Sequence, residues 1–478
     1  MTGPHMSPEE FRRHGHAVVD WIADYWSSLD ELPVRSRVAP GEIAAALPDT
    51  MPETGEEFDA VLADVQRMIL PGITHWQHPR FFAYFPANSS PAAVLGDLLS
   101  SGIGAQGMLW ATSPALTEVE QVVLDWLAEG LGLPEAFRSG GPGGGVIQDT
   151  ASTATFTALL AALHRTTDGA ARAEGVTSLL RVYGSEEAHS SLHKAVMMSG
   201  LGERALHTVP VDPRTRRMDV AALARALEED VAAGLRPVMV QAAVGTTSTG
   251  AVDDVAAIGP LALAHGAWLH VDAAWAGTAA VCPEHRWINE GVAEHADSYV
   301  TNPHKWLLTT FDCSAFWVRD SAALRGALSL LPEYLRTPAA ESGAVTDLRD
   351  WHPQLGRRFR ALKLFAVLRT YGRRGLAEHI RAGVAGADRF ASLVRSDERF
   401  ELVTEPVLGL VVFRLRAGDE ETRRVMEELN DSGEAYLSHT TVDGSTAMRV
   451  AVGGWRTTPE DVERTWRALT SLVPADPR

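Results

Sequence analysis

Apolar positions fall into three regimes along the chain. Near the start, Phe11, Val18, Ile22, Tyr25 and Trp26 recur at helical spacing on one face, behind Ser7, Pro8, Glu9 and Glu10. A hydroxyl cap, a proline in the first turn and carboxylates at the positive end of the dipole together mark a helix start. So wide an apolar stripe on a terminal helix needs a cover, either a second subunit or the chain's own body. An aromatic cluster follows at 76–86, WQHPRFFAYFP, whose simplest reading is core packing.

From about residue 140 to 320, short apolar runs alternate with amphipathic stretches. The runs at 143–148, 179–183, 238–244, 268–271 and 298–301 predict strands, and 154–164 and 189–198 predict helices. That alternation indicates an α/β domain with a mostly parallel sheet and helices on both faces. Ligands of such sheets bind at the carboxyl ends of the strands, which here means Asp272 and the turn at 302–305. The stretch between Ser329 and Asp347 has no period and reads as a long mobile loop, of a kind that is often functional in compact domains. Beyond Arg360, helical and strand patterns suffice for a separate small α/β domain. The expected division is a helical segment at 1–88, a large domain at 89–360 and a small domain at 361–478.

Composition narrows the class. A hydrophobic content of 45% and a charged content of 22% are those of a globular protein, and no run of 18 apolar residues is present. The N-terminus lacks the apolar core of a secretory signal, and Cys282 and Cys313 show neither CxxC nor zinc spacing. A reducing, cytoplasmic setting is expected. The net charge of −18 argues against a nucleic-acid partner. Only three of 43 basic residues are lysines, so lysine chemistry must run through Lys194, Lys305 or Lys363. Arginine stays protonated and forms no imine. Lys194 and Lys363 fall within helical patterns and read as solvated or helix-end charges.

Lys305 differs. It follows a strand end and is walled by Trp306, Leu307 and Leu308, where desolvation favours the neutral amine. Asp272 closes a strand, where a buried carboxylate needs a positive partner; capping a helix is the alternative. Thr150, Ala151 and Ser152 open a helix after a Gly-rich strand and form an anion site without a dinucleotide or P-loop motif. His189 opens another helix at a strand end and is placed to stack on a flat ring. Its i, i+4 partner His193 is separated from it by Ser190, Ser191 and Leu192, without a metalloprotease glutamate, so no metal is expected. A lysine, an acid for a pyridine nitrogen, a phosphate cradle and a ring platform are what pyridoxal phosphate (PLP) requires.

The runs AHSSLHKA, WLHVDAAWAG, ADSYVTNPHKWLLTTFDCSAFWV and PQLGRRFRALK resemble the group II PLP-dependent decarboxylases, and among them most closely the aromatic L-amino acid decarboxylases. The likeness covers nearly the whole chain, and NPHKW about thirty residues after HVDAA is its most specific part. It implies the aspartate aminotransferase fold (fold type I), PLP as cofactor, and a homodimer with shared active sites. By the same resemblance Lys305 forms the Schiff base, Asp272 pairs with the pyridine nitrogen, and His189 and Ala274 hold the ring's two faces. Thr246 lies near its substituents, while Thr150, Ala151, Ser152, Asn302 and His304 bind the phosphate. Leu355, and the residues near Gln106 and Met108, reach the neighbouring subunit's site. Tyr334 delivers a proton to the α-carbon.

Trp76, Tyr84, Phe85, Pro86, Met108, His189 and Gly356 match the substrate pocket. Gly356 stands where relatives with serine prefer phenolic substrates, Met108 replaces a phenylalanine of animal relatives, and Ala87-Asn88 departs from the usual pocket edge. Tryptophan, phenylalanine, tyrosine and dihydroxyphenylalanine all stay open as substrates. Two alternatives accompany this reading. An aldehyde synthase on the same scaffold would carry phenylalanine at Tyr334, and a non-catalytic binding protein would have lost Lys305, Asp272, His189 or Tyr334. None of the four is lost.

Overall fold

The computed structural model describes residues 5–330, 335 and 337–474. Its large sheet has seven strands: β1 (Gly144–Gln148), β2 (Leu180–Ser185), β3 (Leu206–Val209), β4 (Arg236–Ala243), β5 (Trp268–Asp272), β6 (Ser298–Thr301) and β7 (Ser314–Val318), in the order β1-β7-β6-β5-β4-β2-β3. Every neighbouring pair is parallel except the two that β7 makes, with β1 and with β6.

The strands are apolar on both sides because each side faces a core. In β7, Ala315 and Trp317 enter one core while Phe316 and Val318 enter the other. In β5, Leu269 and Val271 lie on the first side and Trp268 on the second. This is the near-continuous apolar run expected of a doubly covered sheet. The helix Ala151–Thr167, filled with small residues, packs in the second core with Ser190–Met198 and Ser321–Leu328.

A second, antiparallel sheet carries β8 (Phe400–Leu402), β9 (Leu410–Leu415), β10 (Ser438–Val442) and β11 (Ser445–Ala451), in the order β10-β11-β9-β8. It has its own core around Phe390, Phe413 and Trp466. The long helix Arg360–Arg395 leads into it, kinked at Gly372.

The first helix, Pro8–Ser28, starts at a capping box between Ser7 and Glu10. Its inner half packs on the same chain: Tyr25 bonds His75 at 2.9 Å, and Trp26 meets Trp455 edge-on. Phe11 and Val19 remain exposed. One expectation is overturned. Lys363 is not a solvated charge but is fully buried, its Nζ 3.2 Å from Asp97, where the helix Pro91–Ile103 crosses so closely that a Cβ on Gly96 would lie 2.6 Å from the Lys363 backbone.

Candidate active site

Five loops meet at the carboxyl edge of the large sheet, after β1, β2, β4, β5 and β6. They enclose a cavity of about 240 Å³ lined by Thr150, Ala151, Ser152, His189, Thr246, Asp272, Ala274, Asn302, His304 and Lys305, together with Phe85, Trp275 and Phe311. Larger grooves of about 480 and about 690 Å³ lie elsewhere and lack this set of groups. Because β7 runs against its neighbours, its amino end, with Phe311 and Cys313, arrives at the same edge.

Lys305 sits in the single helical turn Pro303–Trp306. That turn is clamped by Asn88, whose side-chain amide donates to the carbonyls of Lys305 (2.6 Å) and Gly453 (2.8 Å). Asn88 is thus a structural brace rather than a pocket edge. The indole of Trp306 is caged by glycines: a Cβ on Gly383, Gly409 or Gly453 would come within 2.9 to 3.0 Å of it. Trp306 stacks on Trp275 (5.2 Å), which stacks on Phe85 (4.3 Å), and the Lys305 Nζ lies 5.5 Å from the Phe85 ring centre. Desolvation by these walls pulls the ammonium's pKa down; Asp272 opposes and Arg449 adds to the fall.

Asp272 is buried and accepts from the Ala274 N–H (3.1 Å) and from the Gln241 side-chain amide (3.2 Å). His189 caps the helix Ser190–Met198, its Nδ1 accepting from the Ser191 N–H. A neutral ring with an acceptor at Nδ1 carries its proton on Nε2. Burial holds its pKa below the usual histidine value, against the pull of Asp272.

The other end of the cavity is built for an anion. Thr150 caps the helix Ala151–Thr167, whose first-turn N–H groups have no partner within the helix. His304 Nδ1 accepts from the Cys313 N–H (2.9 Å), so its neutral ring also presents Nε2–H as a donor. Burial, helped by Lys305 and Lys363, pushes its pKa down to about 3. Asn302 accepts from Ser314 through Oδ1 (2.6 Å), which leaves its amide N–H groups for the cavity.

Thr246 lines the cavity, but its hydroxyl is turned onto the buried carboxylate of Glu187 (3.2 Å) and accepts from the Ala251 N–H. Gly245 precedes it at φ +86°, and a Cβ there would fall 2.5 Å from that of Ala276. Trp275, Phe311, Ser191 and Gln241 were not singled out from the sequence. Trp275 and Phe311 lie inside the family-like runs, while Gln241 sits in an apolar strand where only the lone amide marks it.

Several expected substrate residues are not on this wall. Trp76 and Tyr84 stack on one another (5.7 Å) and are exposed, and Pro86 is buried off the cavity. Met108, Leu355 and Gly356 form a separate group around Gln106, whose Oε1 accepts from the N–H groups of Met108 (2.9 Å) and Arg357 (3.1 Å). Tyr334 lies outside the described residues.

Residues 40–416 match the model of the pyridoxal-dependent decarboxylase conserved domain. The chain belongs to the pyridoxal-dependent decarboxylase family. The phenylacetaldehyde synthase of Arabidopsis thaliana is 45% identical over 97% of this chain and 96% of its own length. The aromatic-L-amino-acid decarboxylase of Mus musculus is 43% identical over 98% of both chains. A crystal structure of Oryza sativa TDC with PLP and tryptamine superposes with a TM-score of 0.95 at 42% identity, covering 99% of both chains. The fold is therefore that of the fold type I PLP enzymes, PLP is the cofactor, and the protein is a PLP-dependent carboxy-lyase. The cavity fits the group: a desolvated lysine, a buried carboxylate, a histidine and the donors of an anion cradle all line it.

Proposed function

We propose that this decarboxylase acts on an aromatic L-amino acid, releasing CO2 and the corresponding arylalkylamine. The observation that carries the reading is the aromatic wall beside the reactive amine, where Phe85 is backed by Trp275 and lies within 5.5 Å of the Lys305 Nζ. Similarity to the mouse and rice proteins supports it.

PLP, when bound, supplies an electron sink for the pair left by the departing carboxylate. The chain's own residues do the rest. Lys305, desolvated, would hold the cofactor through its amine. The Asp272 carboxylate would face the ring nitrogen. His189 would be the platform against the ring, and the Ala151 and Ser152 N–H groups, Asn302 and His304 Nε2–H would cradle the phosphate. Phe85 and Trp275 exclude water from a step in which a charged carboxylate becomes neutral CO2. Tyr334 is assigned the proton delivered to the α-carbon, by resemblance.

The working unit is read as a homodimer. The helix Pro91–Ile103 buries Ala92, Ala93, Gly96 and Ser100 and leaves Leu95, Leu98, Leu99 and Ile103 each more than half exposed. A helix that buries its small residues and exposes its large ones supports a further partner. Phe311 on the cavity rim is 63% exposed and Leu355 is 45% exposed, so both suit a site completed across a subunit boundary. A cytoplasmic setting is proposed with it: Cys282 and Cys313 are buried free thiols, pushed up to about 11 and about 12 by burial, and so are inert.

A panel of aromatic L-amino acids incubated with the holoenzyme, scored by mass spectrometry, tests the activity. Amine and CO2 in equal amounts are expected. Aldehyde with ammonia and peroxide would instead assign the oxidative chemistry named for the Arabidopsis relative.

A further inference from the structure

Gln241 is an anomaly in the sheet. It stands on β4, opposite His270 of β5, in a strand otherwise apolar from Pro237 to Ala243, and it is fully buried. Its side chain meets one polar partner, the Asp272 carboxylate, at 3.2 Å. An ionised carboxylate offers only acceptors, so the amide must present its N–H to it. Among the described residues the Gln241 Oε1 is then buried with no partner. A buried amide oxygen without a donor costs stability, and an apolar residue would fill the position more favourably.

Something must offset that cost. The second Asp272 oxygen accepts from the Ala274 N–H at 3.1 Å. Those two donors grip the carboxylate from two directions, one on each oxygen, and so set the plane in which its remaining lone pairs reach the cavity. The contact with Gln241 is charge-assisted, the stronger kind of hydrogen bond.

We propose that Gln241 is a positioning residue for the cofactor's ring nitrogen, acting through Asp272. It holds the carboxylate at the angle at which one oxygen meets the protonated ring nitrogen, at the expense of its own unsatisfied carbonyl. The assignment is independent of which amino acid is the substrate. It concerns the cofactor alone.

The test uses holoenzyme of Gln241→Leu and Gln241→Glu beside the parent. Gln241→Leu removes both the donor and the orphaned oxygen. We expect the dissociation constant of the cofactor to rise on the order of ten-fold and the visible band of the bound cofactor to move. The unfolding midpoint in excess PLP should stay at or above that of the parent. Gln241→Glu is the conservative variant: when protonated it donates as the amide does, and when ionised it repels Asp272. Its cofactor affinity should match the parent's at acid pH and fall below it as pH rises. His189, Lys305, His270 and Tyr299 also face Asp272 and titrate in all three proteins, so the difference from the parent is what is read. A spectrum and affinity unchanged in Gln241→Leu would overturn the proposal. So would joint loss of fold and cofactor in both variants, with no recovery of Gln241→Glu at acid pH.

Discussion

At the scale of single residues, the chemistry of the site rests on where protons are held. His304 keeps its Nε2 proton because the backbone of Cys313 claims Nδ1. Replacing His304 with phenylalanine keeps a flat ring and removes the donor, so cofactor retention should fall on the order of ten-fold, read by dialysis against buffer without PLP. Lys305→Ala should abolish the visible band of the bound cofactor; a surviving imine band would mean that another amine carries it. Most of this was legible beforehand, because Lys305, Asp272, His189, Thr150 and His304 each follow a strand, and strand ends converge on one edge. Lys363 was misread for a physical reason. Helical spacing tells which face a residue lies on, but not that the glycine of a helix distant in sequence lets that face be sealed, nor that Asp97 waits there.

At the scale of elements, the cofactor turn is held by its neighbours more than by itself. Four helical residues cannot stabilise their own conformation. Asn88, the glycine cage around Trp306 and the Phe85–Trp275–Trp306 stack do so instead. A Cβ on Gly409 would meet Trp306 at 2.9 Å and the Val452 carbonyl at 2.7 Å, so Gly409→Ala should cost about 1–3 kcal/mol in urea unfolding, as overpacking does. The strands β1, β2, β4, β5 and β6 could be read from their apolar runs. Two others could not: β3 is short and half-exposed, and nothing in the run of β7 reveals that it lies antiparallel between β1 and β6. Strand order and direction come from long-range pairing, which local pattern does not encode.

At the scale of the whole molecule, the residues matched to a substrate pocket do not assemble within one chain. Only Phe85 and His189 reach the wall, and in the homodimer proposed above the exposed leucines of the helix Pro91–Ile103 would lie at the boundary that completes the rest. A charge placed there, as in Leu99→Asp, should shift the protein toward monomers in sedimentation and weaken cofactor retention with it. Acid lability is expected as well. His78, His304 and His352 are pushed down to about 3, and His270 and His379 to about 4, chiefly by burial. Above about pH 6.5 these rings are neutral whether folded or not. Below it, the unfolded chain takes up protons that the native state refuses. Stability therefore falls as pH drops from about 6.5 toward about 4, by about 1.4 kcal/mol per unit for each ring. Asp253, raised to about 6 by burial, acts in the opposite sense, as does Asp350, also raised by burial. Urea midpoints measured between pH ~7.5 and ~5 should fall by several kcal/mol equivalents; a flat profile would show that the rings are hydrated.

The three-ring stack also makes the protein its own optical instrument. Two of its 13 tryptophans, Trp275 and Trp306, stand in van der Waals succession behind the reactive amine, rigidly held by the glycine cage. Indoles so fixed, close to a chromophore that absorbs where they emit, lose their fluorescence by energy transfer when it docks and regain it when it leaves. Loading and loss of the cofactor can thus be followed by ultraviolet emission alone, without a label or a substrate.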